Sequence, residues 1–313
     1  MALSNTELKV SSIVVTIIIS AILLGVSVFL LGEYGALVFL LVPFLMGFIP
    51  SIVLAKNGEA KFKDGMLVGT YTFLVVTFGM LIIAFEGLIC IAMSIPIVFP
   101  FMIFGAGAAV WMMRWRKNRS IKENLLILCL LGALSFGFDY QEKELALMPV
   151  KTSIKIEANI EDVWTNVVTF SNLPEPTDWI FKTGLAYPMN ATIEGEGVGA
   201  VRYCNFSTGP FVEPITIWNQ PNLLAFDVKS QPIPMNEMNP FREVHPPHLE
   251  GYFVSKKGQF ALTKIDEKQT LLEGTTWYYL DIHPAPYWSA WSDFIIHRIH
   301  LQVLNHIKVE SEE

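Results

Sequence analysis

Polar and apolar positions follow two regimes along the chain. Up to residue 111 the apolar positions form four nearly unbroken runs, at 11–31, 36–55, 66–85 and 88–111. Each is close to the roughly 20 residues that a helix needs to cross a hydrocarbon core about 30 Å thick. Gly32-Glu33-Tyr34-Gly35, a loop with Lys56, Lys61 and Lys63, and Glu86-Gly87 separate them, and no charge falls at mid-span. The pattern predicts an all-α transmembrane bundle. A fifth, shorter run, NLLILCLLGALSFGFDY, closes this half and is expected to span over 121–140, giving a membrane region over residues 1–140.

From about residue 148 the period changes. VKTSIKIEA at 150–158 alternates polar and apolar residues as a half-buried strand does. Asn159 is a good N-cap for a helix over 160–170, where Val163, Trp164, Val167 and Val168 have helical spacing. Pro174 and Pro176 end that helix, and a short helix is expected at 178–182. Strands are expected at 191–194, 200–206, 211–218, 223–228, 252–266 and 269–282, separated by Gly, Asn and Pro clusters. A Pro-rich loop fills 230–247. Pro284 and Pro286 introduce a last helix over 287–309, whose Trp288, Trp291, Ile295, Ile299 and Val303 share one stripe.

Charge adds orientation. Residues 1–140 carry nine Lys/Arg and seven Asp/Glu, a balance of +2; residues 141–313 carry thirteen and twenty-two, a balance of −9. An acidic half without a basic run excludes nucleic acid as an expected partner. Lys and Arg favour the cytoplasmic side. They fall at the N-terminus, in the second loop, and in the fourth, where Arg114, Arg116, Lys117, Arg119 and Lys122 cluster; the other two links have none. A fifth crossing would place the C-terminal half outside the cytoplasm, in a multi-pass protein of the cell membrane. Three cysteines, Cys90, Cys129 and Cys204, provide neither a disulfide framework nor a CxxC metal knuckle.

One strand, two short helices, an antiparallel sheet and a long closing helix make a helix-grip α+β domain over 148–310. SIKIEANIEDVWTNV at 153–167, GEGVGAVRYCNFSTGPFVEPITIW at 195–218 and the closing helix resemble the START-like, or polyketide cyclase/dehydrase (SRPBCC), superfamily. The resemblance implies a cavity between a curved sheet and the last helix, lined by apolar residues and open to a hydrophobic ligand. The superfamily includes carriers, receptors and cyclases, so it implies no single activity.

Alternation assigns residues to that cavity. With a turn centred on Thr208-Gly209, Phe206 pairs with Phe211, Cys204 with Glu213 and Arg202 with Ile215. Arg202, Cys204, Phe206, Phe211, Glu213, Ile215 and Ile217 then share one face. Trp291 and Ile295 are expected to face them from the last helix. Arg202 and Glu213 would be diagonal neighbours, either satisfying each other or orienting a polar group of a ligand. Asp293, His297 and His300, at i, i+4 and i+7, are a less favoured zinc set, expected roughly opposite the Trp/Ile stripe; His306 is expected inside. No cofactor is expected. The expected partners are membrane lipids and a hydrophobic small molecule or lipid, with no protein partner named by the sequence. Two rival readings are a cyclase/dehydratase-type enzyme using Arg202, Glu213 and Tyr278 or Tyr279, and a structural membrane protein with an assembly domain.

Overall fold

A computed structural model describes residues 4–55, 61–115, 146–241, 243–244 and 246–313. The expected fifth span, most of the basic cluster before it, Cys129 and His245 lie outside the described residues. The chain forms two compact units, one of residues 1–143 with 238–246 and 282–284, the other of 144–237, 247–281 and 285–313.

The first unit contains α1 (Asn5–Gly25), α2 (Val42–Leu54), α3 (Phe62–Ile82) and α4 (Leu88–Trp115). π-helical turns at Val26–Leu31 and Leu37–Leu41 extend the first two helices, so four apolar helical segments are long enough to cross a membrane. Ser4 opens α1 with a capping box, its hydroxyl accepting from Glu7 N–H while Glu7 accepts from Ser4 N–H. The α2 helix is central and packs against the other three. Glycine allows two of these approaches: a Cβ on Gly47 would lie 2.0 Å from the Met102 carbonyl oxygen, and one on Gly105 2.0 Å from that of Phe44.

The faces of α1, and in part of α3, are inverted relative to a water-soluble bundle. On α1 the buried positions are Leu8, Ser12, Thr16 and Ser20, while Val14, Ile18 and Ile22 are exposed. On α3, Thr72 is buried while Leu67, Tyr71, Leu74 and Phe78 are exposed. Several inward hydroxyls return to the carbonyl one turn back, as Thr16 does to Ser12 and Thr72 to Val68.

The second unit is a helix-grip fold. Seven strands, β1 (Met148–Ile156), β2 (Pro188–Glu194), β3 (Val201–Phe206), β4 (Gly209–Asn219), β5 (Leu223–Asp227), β6 (Phe253–Asp266) and β7 (Gln269–Leu280), form one antiparallel sheet in the order β1-β7-β6-β5-β4-β3-β2. Short α5 (Ile160–Val168) follows β1, and α6 (Ala285–Glu312) closes the chain. Asn159 caps α5 by accepting from Asp162 N–H at 2.9 Å. At 28 residues α6 is roughly 42 Å long, enough to lie along the sheet. The core lies between sheet and helices, with Ile156, Val163, Val167, Leu224, Leu272, Leu304 and Ile307 almost fully buried.

Two local features change the predicted register. The β3–β4 turn is one step tighter than expected: Phe206 pairs with Gly209, Cys204 with Phe211 and Arg202 with Glu213. Gly209 takes φ +138°, a conformation open to glycine, and a two-residue loop suffices. The change of two residues preserves the face but makes Arg202 and Glu213 directly opposed rather than diagonal. Further along β4, a bulge between Ile215 and Ile217 turns Ile217 outward, where it is 45% exposed. Trp218 packs inward instead, edge-on to Trp164.

Candidate functional site

A cavity of about 120 Å³ lies within the second unit, between the inner face of the sheet and α6. Its wall includes Arg202, Cys204 and Phe206 of β3, Phe211 and Glu213 of β4, Phe226 of β5 and Phe260 of β6. From α6 come Ile296, Ile299, His300, Val303 and Leu304. Ile215 is buried in the adjoining core and Ile217 is outside. Trp291 and Ile295 do not line the cavity either. The buried face of α6 runs through Trp288, Ser292, Ile296, Val303, Leu304 and Ile307, turned by roughly 70° from the predicted stripe at 100° per residue. Ser292 and His300 are polar residues on that inner side, which an apolar-stripe criterion passes over.

Arg202 is the largest fully buried side chain, at 1% exposure, and Glu213 is buried with it. The guanidinium donates through Nη1 to the Glu213 carboxylate and through Nε to the Val168 carbonyl at 3.2 Å. Its Nη2 has no hydrogen-bond partner among the described residues. Three rings surround its carbon, Phe170 at 5.4 Å, Phe260 at 5.5 Å and Phe226 at 5.6 Å. Such rings attract a cation through their negative faces. Gly258 makes room for one of them, since a Cβ there would lie 2.6 Å from the Phe226 ring. The three phenylalanines escaped sequence reasoning because they come from distant elements and form no local motif. Period two along β5 and β6 does place Phe226 with Leu224, and Phe260 with Leu262, and was the available signal.

Burial governs the protonation states here. The Glu213 carboxyl is pushed above the usual carboxylate range by desolvation, which the adjacent guanidinium partly offsets. Burial weighs most against the Arg202 charge, but Glu213 and Cys204 together outweigh it, and the guanidinium stays charged. Cys204 is pushed up to about 12, first by burial and then by Glu213, so its thiol keeps its proton at neutral pH. Such a thiol is no nucleophile.

His300 turns inward, contrary to the expected outward placement, whereas Asp293 and His297 stay exposed as expected. Thr152 Oγ1 on β1 lies 2.8 Å from His297 Nδ1 and 3.1 Å from His300 Nδ1, and Thr276 Oγ1 on β7 lies 2.8 Å from His300 Nε2. His300 is lowered to about 4 by burial and by His297. Asp293 instead accepts from the Tyr278 hydroxyl at 2.6 Å. The ligand atoms of Asp293, His297 and His300 do not gather within 4.8 Å of one another, so the three form no metal cluster. Tyr278 is fully buried, its pKa raised by burial and by Asp293. Tyr279 lies under the Lys256 ammonium, 5.0 Å from its ring centre, and neither tyrosine lines the cavity. His306 is half-buried beside Ser171, 3.3 Å from its hydroxyl.

No protein-family model matches the sequence, and a search of curated proteins finds no significant match. Among solved structures, the chain is similar to a truncated norcoclaurine synthase from Thalictrum flavum (10% identity, 54% of this chain and 95% of that one, TM-score 0.34). It is also similar to the Zhui aromatase/cyclase from Streptomyces sp. R1128 (11% identity, 53% and 94%, TM-score 0.34) and to XoxI from Bacillus cereus (14% identity, 52% and 94%, TM-score 0.34). The helix-grip architecture rests on the strand order and the closing helix themselves.

Proposed function

We propose that the protein is a multi-pass membrane protein whose START-like domain holds a small hydrophobic molecule in the cavity between sheet and α6. The carrying observation is the cavity itself, walled by aromatic and aliphatic side chains around one buried charge pair. Ligand sites combine mostly apolar walls with a few fixed polar groups. At about 120 Å³ the space approaches that of a dry cavity of about 150 Å³ that admits benzene, and is well below the 300–1,000 Å³ of drug-sized sites. A ring or a short acyl segment therefore fits better than a whole two-chain lipid.

The inverted faces of α1 and α3 support the membrane assignment. Exposed Ile, Leu, Val and Phe over three of the four long helices would be an aggregating surface in water and is ordinary against lipid. The alternation of Lys and Arg between links favours a cytoplasmic 114–122 segment, and a crossing by 121–140 would then carry the helix-grip domain outside. A holding role suits the site better than proton transfer at neutral pH. Cys204 and His300 are displaced to about 12 and about 4, and Glu213 is committed to Arg202.

Organic extraction of the purified full-length protein, followed by mass spectrometry, tests this function. A small apolar compound recovered in proportion to protein is expected from wild type. It should be lost from a variant with the cavity filled by Val303→Trp. Equal recovery from both would count against the cavity as its location.

A further inference from the structure

The polar inventory of the cavity is short enough to constrain what enters it. Arg202 uses Nε and Nη1 on Val168 and Glu213, and Nη2 is left as a buried donor without a partner among the described residues. The Cys204 sulfur lies beside the guanidinium and interacts with it. A protonated thiol is in any case a weak acceptor. Both ring nitrogens of His300 face threonine hydroxyls. Thr275 Oγ1 on β7 is a second buried group on the wall without a partner among the described residues, so an occupant meets one charged N–H donor and one hydroxyl, both able to donate to an acceptor.

Charge narrows the class further. The guanidinium is already matched by Glu213, and the other cation on the wall, Lys257, is exposed with its ammonium over the Trp277 ring. An anionic occupant would place two negative charges against one positive charge, and a buried uncompensated charge is costly. A cationic occupant would meet the guanidinium directly. An uncharged acceptor meets neither penalty and satisfies Nη2.

We propose that the occupant is an uncharged, ring-sized aromatic carbonyl compound whose oxygen accepts from Arg202 Nη2 while its ring packs against Phe226, Phe260, Val303 and Leu304. This deepens the cavity-binding function above and rests on it. Glu213 acts as the selectivity element, since it cancels the charge that would otherwise draw in a carboxylate.

Calorimetric titration of the full-length protein in detergent with three probes tests the proposal. Acetophenone carries the acceptor, isopropylbenzene has nearly the same shape without it, and benzoate carries a charge. Wild type at pH 7 is expected to bind acetophenone about tenfold or more tightly than isopropylbenzene, as a hydrogen bond to a charged donor implies, and benzoate more weakly than either. Glu213→Gln should strengthen benzoate binding about tenfold by leaving the guanidinium uncancelled. The double variant Arg202→Met/Glu213→Leu, which leaves no lone buried charge, should bind isopropylbenzene and lose the preference for acetophenone. The wild-type comparison needs no variant to fold. Equal binding of acetophenone and isopropylbenzene, or benzoate binding tightest to wild type, would overturn the ligand class while leaving an apolar binding cavity. Failure of all three probes to bind would overturn the cavity function as well.

Discussion

Arg202 on β3 and Glu213 on β4 are direct cross-strand partners, and the guanidinium donates to the carboxylate with both residues buried. Breaking such a pair from one side leaves an uncompensated charge and costs about 3–5 kcal/mol. Arg202→Met should therefore lower unfolding stability by about that much. Arg202→Met/Glu213→Leu should regain most of it. Denaturant unfolding followed by tryptophan fluorescence checks both, and a double variant no better than the single one would show that the pair is not the source of the loss.

His300 gives a pH dependence with a defined sign. Its folded pKa of about 4 lies below the ordinary 6.5, through burial first and His297 second. The unfolded chain therefore takes up this proton more readily than the folded one. The contribution is fully present above about pH 6.5, falls as the pH drops from there to about 4, and reaches about 3 kcal/mol in total. His300→Gln should flatten that part of the stability profile in thermal unfolding across pH 4–7. An unchanged slope would contradict the assignment.

Gly258 and Leu304 tune the cavity in opposite directions. A Cβ at Gly258 would lie 2.6 Å from the Phe226 ring, so Gly258→Ala should displace that ring from the guanidinium. Weaker binding of an aromatic probe is expected. Leu304 is fully buried on the cavity wall, and Leu304→Ala should cost about 2–5 kcal/mol while enlarging the space. Probe-binding curves with a size series check both, the optimum moving to a larger probe for Leu304→Ala.

Helix contacts in the first unit make a separate prediction. Gly47→Val and Gly105→Val should each lower the melting temperature in detergent, because either side chain would meet backbone on the facing helix. Gly107→Val is the control, since nothing lies within 4 Å of a Cβ there. A loss for Gly107→Val as large as for the other two would point to a general cost of β-branching instead.

Much of the architecture was legible because its signals are local. Runs of about 20 apolar residues mark α1 to α4, Asn159 marks the start of α5, and alternation marks the strands. Alternation also assigns Arg202, Cys204 and Glu213 to one face, and all three are buried on the cavity wall. Parity survives a register change of two residues, so the tighter β3–β4 loop did not disturb it. A bulge does change parity, which is why Ile217 points out. On α6 the bulk of Trp291 and Ile295 suggested the wrong stripe, because Ser292 occupies the inner face with its hydroxyl turned back to the Trp288 carbonyl, and His300 occupies it with partners on β1 and β7. The cage of Phe170, Phe226 and Phe260 has the same cause: only the folded sheet brings it together.

Methyl-resolved NMR of the full-length protein in detergent, titrated with isopropylbenzene, tests the central claim most directly. An occupied cavity predicts saturable shifts concentrated on the Ile296, Ile299, Val303 and Leu304 methyls, with Ile217 as the unshifted reference. No saturable shift at those four methyls, or shifts spread equally to Ile217, would contradict a ligand cavity between the sheet and α6.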